Sequence, residues 1–238
     1  TLFHYSTKGN IQDVELCNGV RICGGMDSAA MGEFCRRNGI SLIVDAAHPF
    51  AQGVHATVDA VSGELSLPVI RYEREFPLRD KRIIWCSSYD DAVGKLNNGK
   101  ITSLLALTGV NTIPKLRGYW SRKGNLCHFR VLDRDESREL AAKAGFPGNR
   151  LLYLKDEAIT LEGEKEFIAK ISPEAVITKE SGESGFFKEK VEAAFACGAK
   201  VFAVQRPALP ESFLPVYGPV GLRMEVERLV PGFFPLRI

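Results

Sequence analysis

Short β-branched runs alternate with helical stretches along most of the chain, and no other feature limits the fold as much. Strands that alternate with helices build βαβ units, and such units assemble parallel sheets covered by helices. The run 41–45 (Ser-Leu-Ile-Val-Asp) is apolar on both faces, as a buried parallel strand requires. After it, Ala51, Val54, Val58, Val61 and Leu65 recur at helical spacing and predict an amphipathic helix. The first series has strands over 2–6, 20–23, 41–45, 69–71 and 82–86. Asp27 caps a helix that runs to Arg37, and another helix covers 88–97. The second series has strands over 103–107, 128–132, 151–154, 175–178 and 201–204, with helices over 136–144, 161–171 and 187–197. These five strands in strict alternation predict a complete doubly wound α/β sheet.

Asn97-Asn98-Gly99 is a turn cluster, which divides the chain into domains at 1–98 and 99–238. The tail from Pro207 carries Pro210, Pro215, Pro219, Pro231 and Pro235, so mostly irregular packing is expected there. In the first domain no Gly-rich turn precedes Leu2, and the sequence opens on Thr1. A sheet lacking its middle strand leaves rows of unpaired backbone groups. The expectation is that the first domain is incomplete at its N-terminus.

Composition removes several classes of function. Lys and Arg number 31 against 29 Asp and Glu, a net charge of +2 with no basic stripe, so nucleic acid is not an expected partner. No apolar run approaches the ~20 residues that span a membrane, and no leader pattern supports secretion. The six cysteines (Cys17, Cys23, Cys35, Cys86, Cys127, Cys197) contain no CxxC pair, which excludes a zinc ribbon and a thioredoxin motif. They read as small buried thiols in a cytoplasmic protein. His48 and His55 lie seven apart with no third ligand in reach, so no metal site is expected.

Familiar catalytic signatures also fail. There is no HExxH and no GxSxG. The run 94–100 (Gly-Lys-Leu-Asn-Asn-Gly-Lys) resembles a phosphate loop, but Ile101 follows it and a helix, not a strand, precedes it. What remains are polar clusters at the ends of the predicted strands, where open α/β sheets bind ligands. Residues 45–51 (Asp-Ala-Ala-His-Pro-Phe-Ala) place Asp45, His48, Pro49 and Phe50 after a buried strand. They form either a wall for a ring or ribose, or a plain turn in which Asp45 caps the next helix. Ser6, Thr7 and Lys8 close the first strand with no acid. With a strand restored ahead of it, that position favours NADPH over NADH, since a cation there meets the 2′-phosphate. An exposed turn lysine is the competing reading. In the second domain Thr108 and Gly109, then Lys179, Glu180, Ser181 and Gly182, then Arg206 occupy strand ends on one sheet edge. Such convergence suits an acidic ligand. Arg71 and Arg74 end a first-domain strand and are placed to face that edge across a cleft.

Residues 45–51, the Arg71 to Arg74 stretch, 107–109, 178–182 (Thr-Lys-Glu-Ser-Gly) and 205–207 together resemble the precorrin-6A reductase family of cobalamin biosynthesis, in family order up to about Pro207. The resemblance implies two Rossmann-like domains around a cleft, NADPH as cofactor, and reduction of precorrin-6A or its cobalt form to the 6B product. It implies a polycarboxylate corrinoid substrate and places other cobalamin-pathway enzymes among the candidate partners. The family opens with a strand and a Gly-Gly-Thr-x-Glu-Gly-Arg loop that this sequence lacks. Ala47 stands where Thr is usual, and Glu180 where Asp or Asn is common.

The resulting assignment gives Ser6, Thr7, Lys8, Asp45, His48, Pro49 and Phe50 to the cofactor. Arg71, Arg74, Thr108, Gly109, Lys179, Glu180, Ser181, Gly182 and Arg206 go to the acidic arms of the substrate. His48 and Lys179 are the nominees for the proton that accompanies hydride transfer. The alternative is a non-catalytic nucleotide- or tetrapyrrole-binding module. A methyltransferase on the same architecture would need an acidic ribose ligand, which the Ser6 to Lys8 strand end does not offer.

Overall fold

Among the described residues every paired strand runs parallel to its neighbour, as strand–helix alternation demands. The computed structural model describes residues 2–7, 9, 19–76, 78–154, 159–182 and 185–234. The fold is α/β and separates into two units, Thr1–Glu75 with Pro207–Ile238, and Phe76–Arg206.

The first unit contains β1 (Phe3–Thr7), β2 (Gly19–Cys23), α1 (Ser28–Arg37), β3 (Ile43–Asp45), α2 (Gln52–Leu65) and β4 (Val69–Glu73). Asp27 caps α1 by accepting the Ala30 N–H at 2.8 Å. α2 is rotated from the predicted stripe: His55, Val58, Val61 and Ser62 face inward, while Val54 is 45% exposed. The contact between His55 and Asp45 fixes this rotation.

The second unit contains β5 (Ile84–Cys86), α3 (Tyr89–Asn98), β6 (Ser103–Ala106), α4 (Arg117–Trp120), β7 (Leu126–Leu132), α5 (Asp135–Lys143), β8 (Leu151–Leu154), α6 (Leu161–Ile171), β9 (Ala175–Lys179), α7 (Phe187–Ala196) and β10 (Lys200–Val204). Its strands lie in the order β5-β10-β9-β6-β7-β8. The chain winds outward through β7 and β8 on one side of β6, and through β9 and β10 on the other. This is a doubly wound sheet with its reversal between β6 and β9. Leu105, Val176, Ile168 and Ala203 pack in its core.

Two expectations are corrected. The boundary drawn at 98/99 falls inside the second unit, because β5 joins its sheet beside β10, with Phe202 opposite Ile84. Buried Ile83 and Cys86 hold that edge strand in place. The tail is not irregular: β11 (Phe213–Tyr217) pairs with β4 and α8 (Gly218–Leu229) follows it. The first unit thus has a three-stranded sheet ordered β11-β4-β3 beside the β1-β2 pair, with Phe213 packed on Val58 and Val69. Among the described residues no helix is long and apolar enough to cross a membrane.

Candidate functional site

The loop at residues 45–51 leaves the carboxyl end of β3 and leads into α2. Asp45 is buried at its start and organises it. Its Oδ2 lies 2.6 Å from His55 Nδ1, and its Oδ1 accepts from the Ala47 N–H at 2.9 Å and from Arg71 Nη1 at 3.2 Å. Burial alone would raise the Asp45 carboxyl. The hydrogen bonds from His55 and Ala47, with the charges of His55 and Arg71, hold it below its ordinary value. Asp45 does not cap α2, whose N-cap position is Ala51 and which has no side-chain cap.

Pro49 is buried, and His48 and Phe50 are half-buried, with ring centroids 5.9 Å apart. The Phe50 N–H donates to His48 Nδ1 at 3.1 Å, so while that bond stands His48 exchanges protons only at Nε2. Ser6 is exposed and Thr7 half-buried at the end of β1, with Thr7 Oγ1 donating to the Gly9 carbonyl at 3.0 Å. Lys8 lies outside the described residues.

Arg71 is completely buried. Its Nη1 donates to the carbonyls of Ala47 at 2.8 Å and Asp45 at 3.3 Å, so the guanidinium braces the loop from β4. Its Nη2 lies 3.6 Å from Glu73 Oε1, and among the described residues Nε and Nη2 have no hydrogen-bond partner. Arg74 is half-buried, and its main-chain N–H donates to the same Glu73 oxygen at 2.9 Å. Burial, followed by the Arg71 charge, lowers its pKa.

The second unit gathers its polar strand ends at the reversal between β6 and β9. After β6, buried Thr108 pairs with Thr112, Oγ1 to Oγ1 at 2.6 Å. Gly109 takes a positive φ of 86°, a conformation that favours glycine. Lys179 ends β9 half-buried, with its pKa lowered by burial and then by Lys115. Ser181 and Gly182 are buried beyond it. Buried Glu180 is occupied by cations of its own unit. It accepts from Arg79 Nε at 3.1 Å and Nη2 at 3.0 Å, and from the Arg206 main-chain N–H at 3.0 Å. The Arg206 guanidinium stacks 3.7 Å from the centre of the Phe76 ring.

The sequence reading missed His55, Arg79, Arg130, Glu164 and Lys190. Arg130 and Glu164 form a buried ion pair at 2.5 and 3.0 Å. Lys190 on α7 donates to the Gly185 carbonyl at 2.6 Å. Burial, then the charge of Arg130, pushes it down to about 8, with Lys179 among the further charges lowering it. One signal was available: Lys190 stands one residue before Val191 on a helix whose inward face is apolar. Arg79 lies 101 residues from Glu180, and no local pattern links them.

The family model described as precorrin-6x reductase CbiJ/CobK matches residues 2–220. The cobalt-precorrin-6A reductase of Methanocaldococcus jannaschii is 28% identical over 185 residues, covering 77% of this chain and 71% of that protein. The Synechocystis protein of the same name is 29% identical over 204 residues, covering 77% and 70%. A solved structure, CobK precorrin-6A reductase, superposes with a TM-score of 0.73 at 19% identity, over 95% of this chain and 87% of that one. At that identity the likeness establishes the fold.

Proposed function

The chain belongs to the precorrin-6x reductase CbiJ/CobK family, and on that premise we propose that it reduces the precorrin-6A macrocycle, cobalt-free or cobalt-bound, to the 6B form with NADPH as the hydride donor. It is an oxidoreductase of cobalamin biosynthesis, and its reductase chemistry calls for a nicotinamide cofactor. When bound, that cofactor supplies the hydride. The protein's part is to hold, orient and protonate.

The residues of the first unit fit a dinucleotide. The 45–51 loop presents the half-buried rings of His48 and Phe50 at a parallel strand end, and Pro49 backs them. α2 begins beside them with no side-chain cap and Gly53 in its first turn, so its first N–H groups suit a phosphate. Ser6 and Thr7 at the end of β1, with Lys8 next in the sequence, complete the proposed cofactor set, Lys8 as the reader of the 2′-phosphate. Asp45 acts through the loop, whose carbonyls and amides it and Arg71 arrange.

The observation that carries the substrate reading is the placement of Thr108 and Gly109 just after β6 and of Lys179 at the end of the adjacent β9, where the winding reverses. Lys179 supplies a cation for a carboxylate arm, and Thr108, Ser181 and the Gly109 and Gly182 backbone supply neutral hydrogen bonds. Glu180 serves this edge by holding Arg206. Arg71 and Arg74 remain proposed as cations of the substrate set; the Nε–H of Arg71, which has no hydrogen-bond partner among the described residues, is the group that would donate to a carboxylate. For the proton, Lys179 Nζ and His48 Nε2 are the proposed donors.

The test follows NADPH oxidation together with the absorption of the macrocycle, with NADH in parallel. Turnover with NADPH and not NADH supports the whole reading. Binding of the macrocycle without consumption of either nucleotide overturns it in favour of a tetrapyrrole-binding module.

A further inference from the structure

We propose that His55 is a positioning residue, a two-ended brace that sets the loop at residues 45–51 in the attitude from which His48 and Phe50 meet the nucleotide. This rests on the reading of that loop as the nucleotide wall, and it concerns a residue outside the wall itself.

The imidazole is buried on the inner face of α2. Its Nδ1 meets Asp45 Oδ2 at 2.6 Å, and its Nε2 meets the main-chain oxygen of His48 at 3.2 Å. Each ring nitrogen thus faces an acceptor of its own, a carboxylate oxygen at one end and a main-chain carbonyl at the other. One ring therefore ties the last residue of β3 to the middle of the loop. The same His48 oxygen also accepts the Ala51 N–H at 2.7 Å, which links the brace to the start of α2. Arg71 braces the loop from β4 at Ala47, while His55 reaches the peptide next to the candidate ring contacts. The Phe213 ring lies T-shaped to the imidazole, at 6.5 Å between centroids.

The geometry separates the two ends of the brace experimentally. In His55→Asn the amide nitrogen falls near the position of Nδ1 and cannot reach the His48 carbonyl. In His55→Gln the amide nitrogen falls near Nε2 and can. Loss of one hydrogen bond at the loop is expected to raise KM for NADPH about fivefold to tenfold in His55→Asn, with a smaller effect on kcat. Amide hydrogen exchange at residues 47–51 should accelerate in the same variant. His55→Gln should recover most of both readouts.

If both variants lower thermal stability while loop exchange and KM stay at wild-type values, His55 only fills space and the proposal falls. Phe50→Ala separates this from the nucleotide reading. If it leaves KM for NADPH unchanged while His55→Asn still accelerates loop exchange, the brace stands and the nucleotide wall is overturned.

Discussion

Arg79 meets Glu180 as a bidentate pair, with Nε at 3.1 Å from one carboxylate oxygen and Nη2 at 3.0 Å from the other. Glu180 is buried, whereas the Arg79 side chain is 45% exposed. Removing the buried acceptor leaves the Arg206 N–H and the Arg79 fork poorly satisfied. Glu180→Gln should therefore cost about 1–3 kcal/mol of stability, while Arg79→Ala should cost no more than about 1 kcal/mol. Urea unfolding measures both. A rise in KM for the macrocycle with no change in stability would instead make Glu180 a direct substrate contact.

Arg130 and Glu164 are both buried, with side-chain exposures of 6% and 4%. Taking away one partner strands the other charge in a low-dielectric interior. Glu164→Gln is expected to destabilise by about 3–5 kcal/mol, and the double replacement Arg130→Met with Glu164→Leu by far less. Denaturant titration of the three variants decides it, because a purely additive double variant would contradict a desolvated pair.

The parts of this molecule that were legible in the sequence are those set by local pattern. Asp27 as a cap and the strand–helix alternation of the second unit needed only neighbouring residues. What failed depended on distant partners. The prolines of the tail suggested irregularity, yet Pro215 sits on the edge strand β11, and Pro219 sits in the first turn of α8. Proline is tolerated at both places because a missing N–H costs little there. β5 was assigned to the first domain by its position in the chain, but its hydrogen bonds go to β10. The valine stripe of α2 looked sufficient by itself. A polar contact, His55 with Asp45, turned the helix and left Val54 outward. For the candidate site, the 45–51 loop and the β6 and β9 ends were visible as unusual chemistry after strands, while the partners of Glu180 and Asp45 were not.

Lys190 gives a pH signature with a definite sign. Its folded pKa is depressed to about 8, from 10.5, so between these values the unfolded chain binds more protons than the folded one. The contribution of Lys190 to stability must then rise with pH across that window, by at most about 3 kcal/mol. Lys190→Met removes the titration. The stability of the variant relative to wild type should be highest near about pH 7 and should fall as pH approaches about 10. Equilibrium unfolding at several pH values reads the difference directly, and a pH-independent difference would show that the ammonium is solvated.

Lys179 is the sharpest test of the substrate edge. It ends β9 beside β6, the strand that Thr108 and Gly109 follow, and burial together with Lys115 lowers its pKa. A cation held partly out of water, with another cation near, gains when a carboxylate arrives, because the ligand relieves the repulsion as well as forming the hydrogen bond. Charge-assisted bonds of this kind are worth about 1.5–3 kcal/mol. Lys179→Met should accordingly raise KM for the macrocycle roughly tenfold to hundredfold and leave KM for NADPH near its wild-type value. Separate titration of the two substrates in steady-state assays distinguishes the roles. A rise confined to NADPH would move the nucleotide to the second unit and reverse the assignment of the two sheet edges.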